Sequence, residues 1–188
     1  MQKKCESCGK MFTPRESFHR TCFECFAKQR GAPTGREGPR AGPLPSAVPK
    51  DYLTRGYFQD AERRVVFPEL LEARAMGIAE ALSRANVSMG QVRRYFTMAR
   101  FLENRLESGE SYDLIANELR RMKANVAAVV GRVQDGYQRE GLTRTLKSFI
   151  DQNVDAAVRD KESFLKGFLT HFECVLCYFV WYTSQKGR

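Results

Sequence analysis

From Phe67 onward, apolar residues recur three and four positions apart, the spacing that gathers side chains on one face of an α-helix. In "FPELLEARAMGIAEALSRAN" the stripe is Leu70, Leu71, Ala75, Ile78, Ala81 and Leu82, with Pro68 near the start, where a missing amide hydrogen is tolerated. "SMGQVRRYFTMARFLENRLES" opens with Ser88 and places Gln91 three residues later, the signature of a capping box; Val92, Phe96, Ala99, Leu102 and Leu106 follow. The cleanest period lies in "ESYDLIANELRRMKANVAAVVGRVQDG", with Ile115, Leu119, Met122, Val126, Val129 and Val133. "GLTRTLKSFIDQNVDAAV" repeats it with Leu142, Leu146, Phe149, Ile150 and Val154, and Asp160 is placed to cap a final helix. No alternating polar and apolar run outside the N-terminal segment demands a strand. The pattern predicts an all-α fold, a five-helix bundle over residues 51–188.

The last helix tests that reading. "FLKGFLTHFECVLCYFVWY" is apolar enough to suggest a membrane span, but Lys166, His171 and Glu173 interrupt it. Its Phe and Leu residues form a one-sided stripe, which predicts a buried core helix and no membrane association. His171, Cys174 and Cys177 lie beside that stripe and read as packing residues, because further metal ligands are missing nearby. The N-terminus "MQKKCESCGK" has no apolar run behind its charges, so a cytoplasmic protein is expected.

Ahead of the bundle the composition changes. Residues 31–50 hold four glycines and five prolines, which predicts a flexible linker. It joins the bundle to a module at 1–30 that contains Cys5-x2-Cys8 and Cys22-x2-Cys25. Reduced cytoplasmic thiols in two such pairs suit the tetrahedral shell of Zn2+, with a rubredoxin-like iron site as the alternative. Four cysteines leave no open coordination position, so the zinc-ribbon-like module is expected to be structural. A segment this short has too little core to fold without its metal. His19 reads as a surface residue.

Charge then points to a partner. The chain carries 31 Lys and Arg against 22 Asp and Glu, a formal net charge of +9. Between Arg84 and Lys147, twelve basic residues face seven acidic ones. Arg93, Thr97, Arg100 and Asn104 share one polar face of the second helix. Arg121, Asn125, Ala128 and Arg132 line an edge of the third, whose middle is bare at Ala124, Ala127, Ala128 and Gly131. Arginine forks suit phosphate, and a bare helix lets a phosphate backbone or another helix come close. No nucleophile elbow, phosphate-cradling glycine loop or carboxylate pair is present, so an enzyme is not expected.

Several stretches resemble a known family. "DYLTRGYFQ", "ARAMGIAEALSRANVSMGQVRRYF", "ELRRMKANVAAVVGR" and "FLTHFECVLCYFVWY" are similar to the small helical subunit of type III-A (Csm-type) CRISPR effector complexes. The resemblance implies a noncatalytic bundle, stacked in several copies along the guide RNA–target RNA duplex and touching other effector subunits. It also implies contact with the nucleic-acid backbone through Arg93, Arg94 and Arg100 of the second helix and Lys123 and Arg132 of the third. Arg120 and Arg121 join them on charge alone. Ala128 stands where the family leads one to expect an aromatic. Two other readings stay open: a zinc-dependent DNA-binding transcriptional regulator, and a zinc-stapled adaptor that binds only proteins.

Overall fold

The computed structural model describes residues 3–13, 47–60, 62 and 65–186, which belong to two compact units, Met1–Gly42 and Pro43–Arg188. Cys22, Cys25, His19 and most of the linker fall outside the described residues.

In the first unit, β1 (Lys3–Lys4) pairs antiparallel with β2 (Met11–Phe12), Lys3 opposite Phe12 and Lys4 opposite Met11. The turn between them holds Cys5 and Cys8. Cys5 N–H donates to the Lys10 carbonyl and Gly9 N–H to the Cys5 carbonyl, both at 2.9 Å. Gly9 has φ +73°, a left-handed conformation that a side chain would strain.

The second unit is the expected bundle. α1 (Pro68–Leu71) and α2 (Ala73–Arg84) are two parts of the first helical run, broken at Glu72 (φ −113°, ψ −98°). α3 (Met89–Glu107) and α4 (Tyr112–Gly131) follow. α5 (Gly136–Leu142) passes through a π-helical turn, Thr143–Lys147, into α6 (Ser148–Ala157). A second π-helical turn, Ser163–Phe168, leads into α7 (Leu169–Lys186). Outside these helices the bundle unit has one isolated antiparallel bridge among its described residues, Phe58 to Val66.

Two boundaries differ from the periodicity. The fourth run begins at Gly136 rather than Gly141, because the Asp135 side chain accepts from Gln138 N–H at 2.6 Å and caps it. Residues 136–140 are all exposed, so they carry no apolar stripe to announce a helix. The third run stops at Gly131, so Val133 lies beyond the helix, where its side chain still packs against the core and its carbonyl accepts from Arg139 Nε at 2.7 Å.

The core centres on α7. This helix makes its most extensive contact with α2 and also packs on α3. Phe164, Phe168, Phe172, Val175 and Phe179 are fully buried, and Phe172 meets Phe149 and Phe96 edge-on at 5.0 and 5.4 Å. The helix is long and apolar enough to cross a membrane by length and composition, yet half of that window is buried in the bundle. Asp160 caps the run as expected, accepting from Ser163 N–H at 2.9 Å. Of the three flagged side chains on this helix, His171 is buried and Cys174 half-buried. Cys177 is exposed and not a packing residue.

A strap over residues 47–58 closes the bundle. Of residues 47–50, which composition assigns to the linker, Val48 is buried against the bundle and its N–H donates to the Arg144 carbonyl at 3.0 Å. Gln152 exchanges hydrogen bonds with Pro49 and Tyr52 backbone groups. The Tyr57 ring lies so close to Gly167 that a Cβ there would sit 2.3 Å from it. Only glycine fits.

Candidate nucleic-acid interface

Seven cations were expected to face nucleic acid, and the structure divides them by what they already touch. Lys123 is the most committed. It donates to both carboxylate oxygens of Asp155 on α6, at 2.7 and 2.9 Å, across 32 residues of chain. Arg100 pairs with Glu103 and Arg121 with Glu118, each at 2.9 Å. Arg120 donates to the Asn117 side chain at 3.1 Å. The last three partners lie three residues away on the same helix, a spacing legible in the sequence.

Arg93, Arg94 and Arg132 are different. All three are exposed, and none has an acidic partner among the described residues. Their placement follows from the connections. α3 starts four residues after Ala85, and α5 starts five residues after α4 ends. Ala85 and α5 touch: a Cβ on Gly141 would lie 3.5 Å from that of Ala85. The start of α3 and the end of α4 therefore share one end of the bundle. Arg93 and Arg94 sit in the second turn of α3, and Arg132 is the C-terminal cap of α4.

The α3 capping box explains why that end is held in place. Ser88 Oγ accepts from Gln91 N–H at 3.2 Å, and Gln91 Oε1 accepts from Ser88 N–H at 2.8 Å. The two bonds satisfy otherwise orphaned amides and fix the direction in which α3 leaves the turn. Asn86, with φ +54°, makes the bend before it. The opposite end of α3 is electrostatically closed. Arg105 forks onto Glu110 at 2.6 and 2.5 Å, and this hydrogen bonding holds Glu110 below the usual carboxylate range.

Exposed ion pairs are weak, worth ~0–1 kcal/mol. A phosphate can thus displace Glu103 from Arg100 or Glu118 from Arg121 at small cost, whereas Lys123 also ties α4 to α6. The sequence set only Arg120 and Arg121 apart, as cations known by charge alone. The structure separates all seven by what they already touch, and Arg93, Arg94 and Arg132 have no acidic partner among the described residues.

A polar network with no place in the charge argument lies beneath the strap. His171 Nδ1–H donates to the Leu70 carbonyl at 2.7 Å, so its Nε2 accepts from the Tyr52 hydroxyl at 3.1 Å. Asn153 Nδ2 donates to the Tyr52 hydroxyl at 2.6 Å, and Tyr57 donates to Asn153 Oδ1 at 2.9 Å. Burial lowers the His171 pKa to about 4, helped by the nearby Arg74 charge and opposed by the Leu70 bond. Burial raises those of Tyr52 and Tyr57. These neutral side chains bind the strap to the core. Sequence reasoning found only His171, because the network joins residues about a hundred positions apart.

No group of three or more His, Cys, Asp or Glu side chains converges as metal ligands among the described residues, which include Cys5 and Cys8 but not Cys22 and Cys25. No curated protein and no solved structure gives a match. A family model does. The model described as Csm2 Type III-A matches residues 67–185, from the start of α1 almost to the end of α7, leaving out the cysteine module and the strap. The five-helix architecture agrees with that match over most of the chain, and this protein belongs to the Csm2 Type III-A family, the small noncatalytic subunits of type III-A CRISPR complexes.

Proposed function

We infer that this protein is an RNA-binding small subunit that acts in the cytoplasm. Several copies stack along guide RNA and target RNA beside the other effector subunits, in antiviral defence. The observation that carries the reading is the placement of Arg93, Arg94 and Arg132 towards one end of the bundle, exposed and without acidic partners among the described residues, in a chain of this family. Base pairing between guide and target supplies sequence choice, so such a subunit needs only backbone contact. Arg100, Arg120 and Arg121 extend the surface once their present partners are displaced, and Lys123, held by Asp155 on α6, contributes least.

Fluorescence anisotropy of the full chain with scrambled single-stranded RNA, across a salt series, tests this. The logarithm of affinity should fall linearly with the logarithm of salt, by about 0.7 per phosphate neutralised. Arg93→Ala, Arg94→Ala and Arg132→Ala should each flatten that slope. Lys123→Ala should instead lower stability and leave the slope nearly unchanged. Preference for one duplex DNA sequence would favour a regulator, and absence of polyanion binding a protein adaptor.

The module at 1–30 is proposed to hold one structural Zn2+ through Cys5, Cys8, Cys22 and Cys25. The hairpin turn supports it: Gly9 and the two 2.9 Å backbone bonds fold the chain tightly around Cys5 and Cys8. Thiolates are the ligands soft metals select. Metal analysis of purified protein should give one zinc per chain, lost in Cys22→Ser. Iron in its place would overturn the assignment.

A further inference from the structure

A cleft of about 210 Å³ opens at the arginine-bearing end of the bundle, between the end of α2 and the start of α5. Ala85 and Gly141, small residues in close approach, line it. Around it stand Asn86, Asp135, Gln138 and the ring of Tyr137, which is 45% exposed although it is large and aromatic. Arg84 completes the rim but is engaged with Glu80 at 2.5 Å.

The size and chemistry of this cleft narrow its ligand. Pockets for drug-sized molecules run to roughly 300–1,000 Å³, so this one suits a single ring system. The Asp135 carboxylate opposes a phosphate inside the cleft, and Arg84 stands only at its rim, paired with Glu80. What remains is the exposed aromatic ring of Tyr137, two carboxamides and the Asp135 carboxylate, whose Oδ1 also accepts from Gln138 N–H and whose Oδ2 is left for a ligand. That set matches the recognition of an unpaired base, stacked on an aromatic ring and hydrogen-bonded along its Watson–Crick edge. A carboxylate prefers the edge with two adjacent donors, N1–H and the exocyclic amino group of guanine.

The geometry points to a binding site for one unpaired purine base, guanine foremost, in the cleft between Asn86 and Tyr137. It deepens the RNA-binding reading, on which its biological use rests, by giving the subunit a contact with a base as well as with the backbone. A base that leaves the stack near Arg93, Arg94 and Arg132 would find the cleft at the same end of the bundle.

The test is a titration of the full-length protein, followed by amide NMR shifts, with GMP, IMP and ribose 5-phosphate. GMP should shift the amides of Asn86, Gln138 and Gly141, and IMP, which lacks the amino group, should do so more weakly. Ribose 5-phosphate should leave these amides in place. Tyr137→Leu, at an exposed position, should weaken GMP about tenfold through lost stacking. Asp135→Asn keeps a capping side chain and should abolish the preference for GMP over IMP. Equal shifts with ribose 5-phosphate, no shift at millimolar GMP, or unchanged affinity in Tyr137→Leu would each overturn the site. In the chain with Arg93, Arg94 and Arg132 all changed to Ala, the GMP shifts should persist. The cleft and the backbone surface therefore fail separately: loss of RNA binding with GMP shifts intact strikes only the backbone reading.

Discussion

His171 shows how much a single side chain depends on distant residues. Its place beside the Phe/Leu stripe marks it as a core residue, and it is fully buried. Its bonding is set by Leu70 and Tyr52, 101 and 119 positions away. Both ring nitrogens are used in the neutral form, and a proton on Nε2 would face the Tyr52 hydroxyl, which already accepts from Asn153. The Arg74 charge adds repulsion. The pKa is about 4 in the folded protein against 6.5 for the ordinary residue. Between those values only the unfolded chain takes up the proton, so stability is full above pH 6.5 and falls as the pH drops towards 4. The expected loss is about 3 kcal/mol, at up to about 1.4 kcal/mol per pH unit. Urea unfolding at pH 7, 5.5 and 4.5 should show it, and His171→Gln should lack that part of the slope. An unchanged midpoint across the series would mean the ring is not held neutral.

At the scale of the element, local signals were read where they were strong. The capping box at Ser88 and Gln91 was legible because both bonds close within four residues, and it stands at the head of α3. Ser88→Ala removes the side-chain acceptor and should cost about 1 kcal/mol, whereas Ser88→Gly should cost only about a few tenths. Equilibrium denaturation of the two variants, with no difference between them, would argue that the bend at Asn86 alone orients the helix. The early start at Gly136 was not legible, since its cap Asp135 precedes five exposed residues and no apolar period continues through them. The break at Glu72 and the two π-helical turns likewise leave the amphipathic stripe unbroken, so periodicity passes over them.

Across the whole molecule, the family match and the folded unit do not coincide. The match begins at residue 67, but the strap before it buries Val48, Leu53 and Tyr57 against the bundle. A chain starting at residue 67 would expose the seat of Tyr57 beside Gly167 and leave Asn153 and His171 without their tyrosine partners. Relative to a chain starting at residue 47, it should lose roughly 4 kcal/mol or more, the cost of removing one large buried aromatic. Thermal unfolding of the two should separate by many degrees, and coincident transitions would show that the strap is dispensable. The candidate interface has the same character. Its cations were all legible as charges, but their availability depends on which acids the fold brings to them.

The helical class, the five runs, the cap of α3 and the buried stripe of α7 follow from local pattern alone, because each rests on spacings of three or four residues that any helix satisfies locally. Tertiary structure alone decided that Lys123 is tied to Asp155 while Arg93, Arg94 and Arg132 have no such acidic partner among the described residues. It also decided that His171 lies neutral beneath a strap and that Asn86 and Tyr137 border one cleft. Those outcomes depend on groups tens of residues apart meeting in space, and periodicity along a chain carries no information about such meetings.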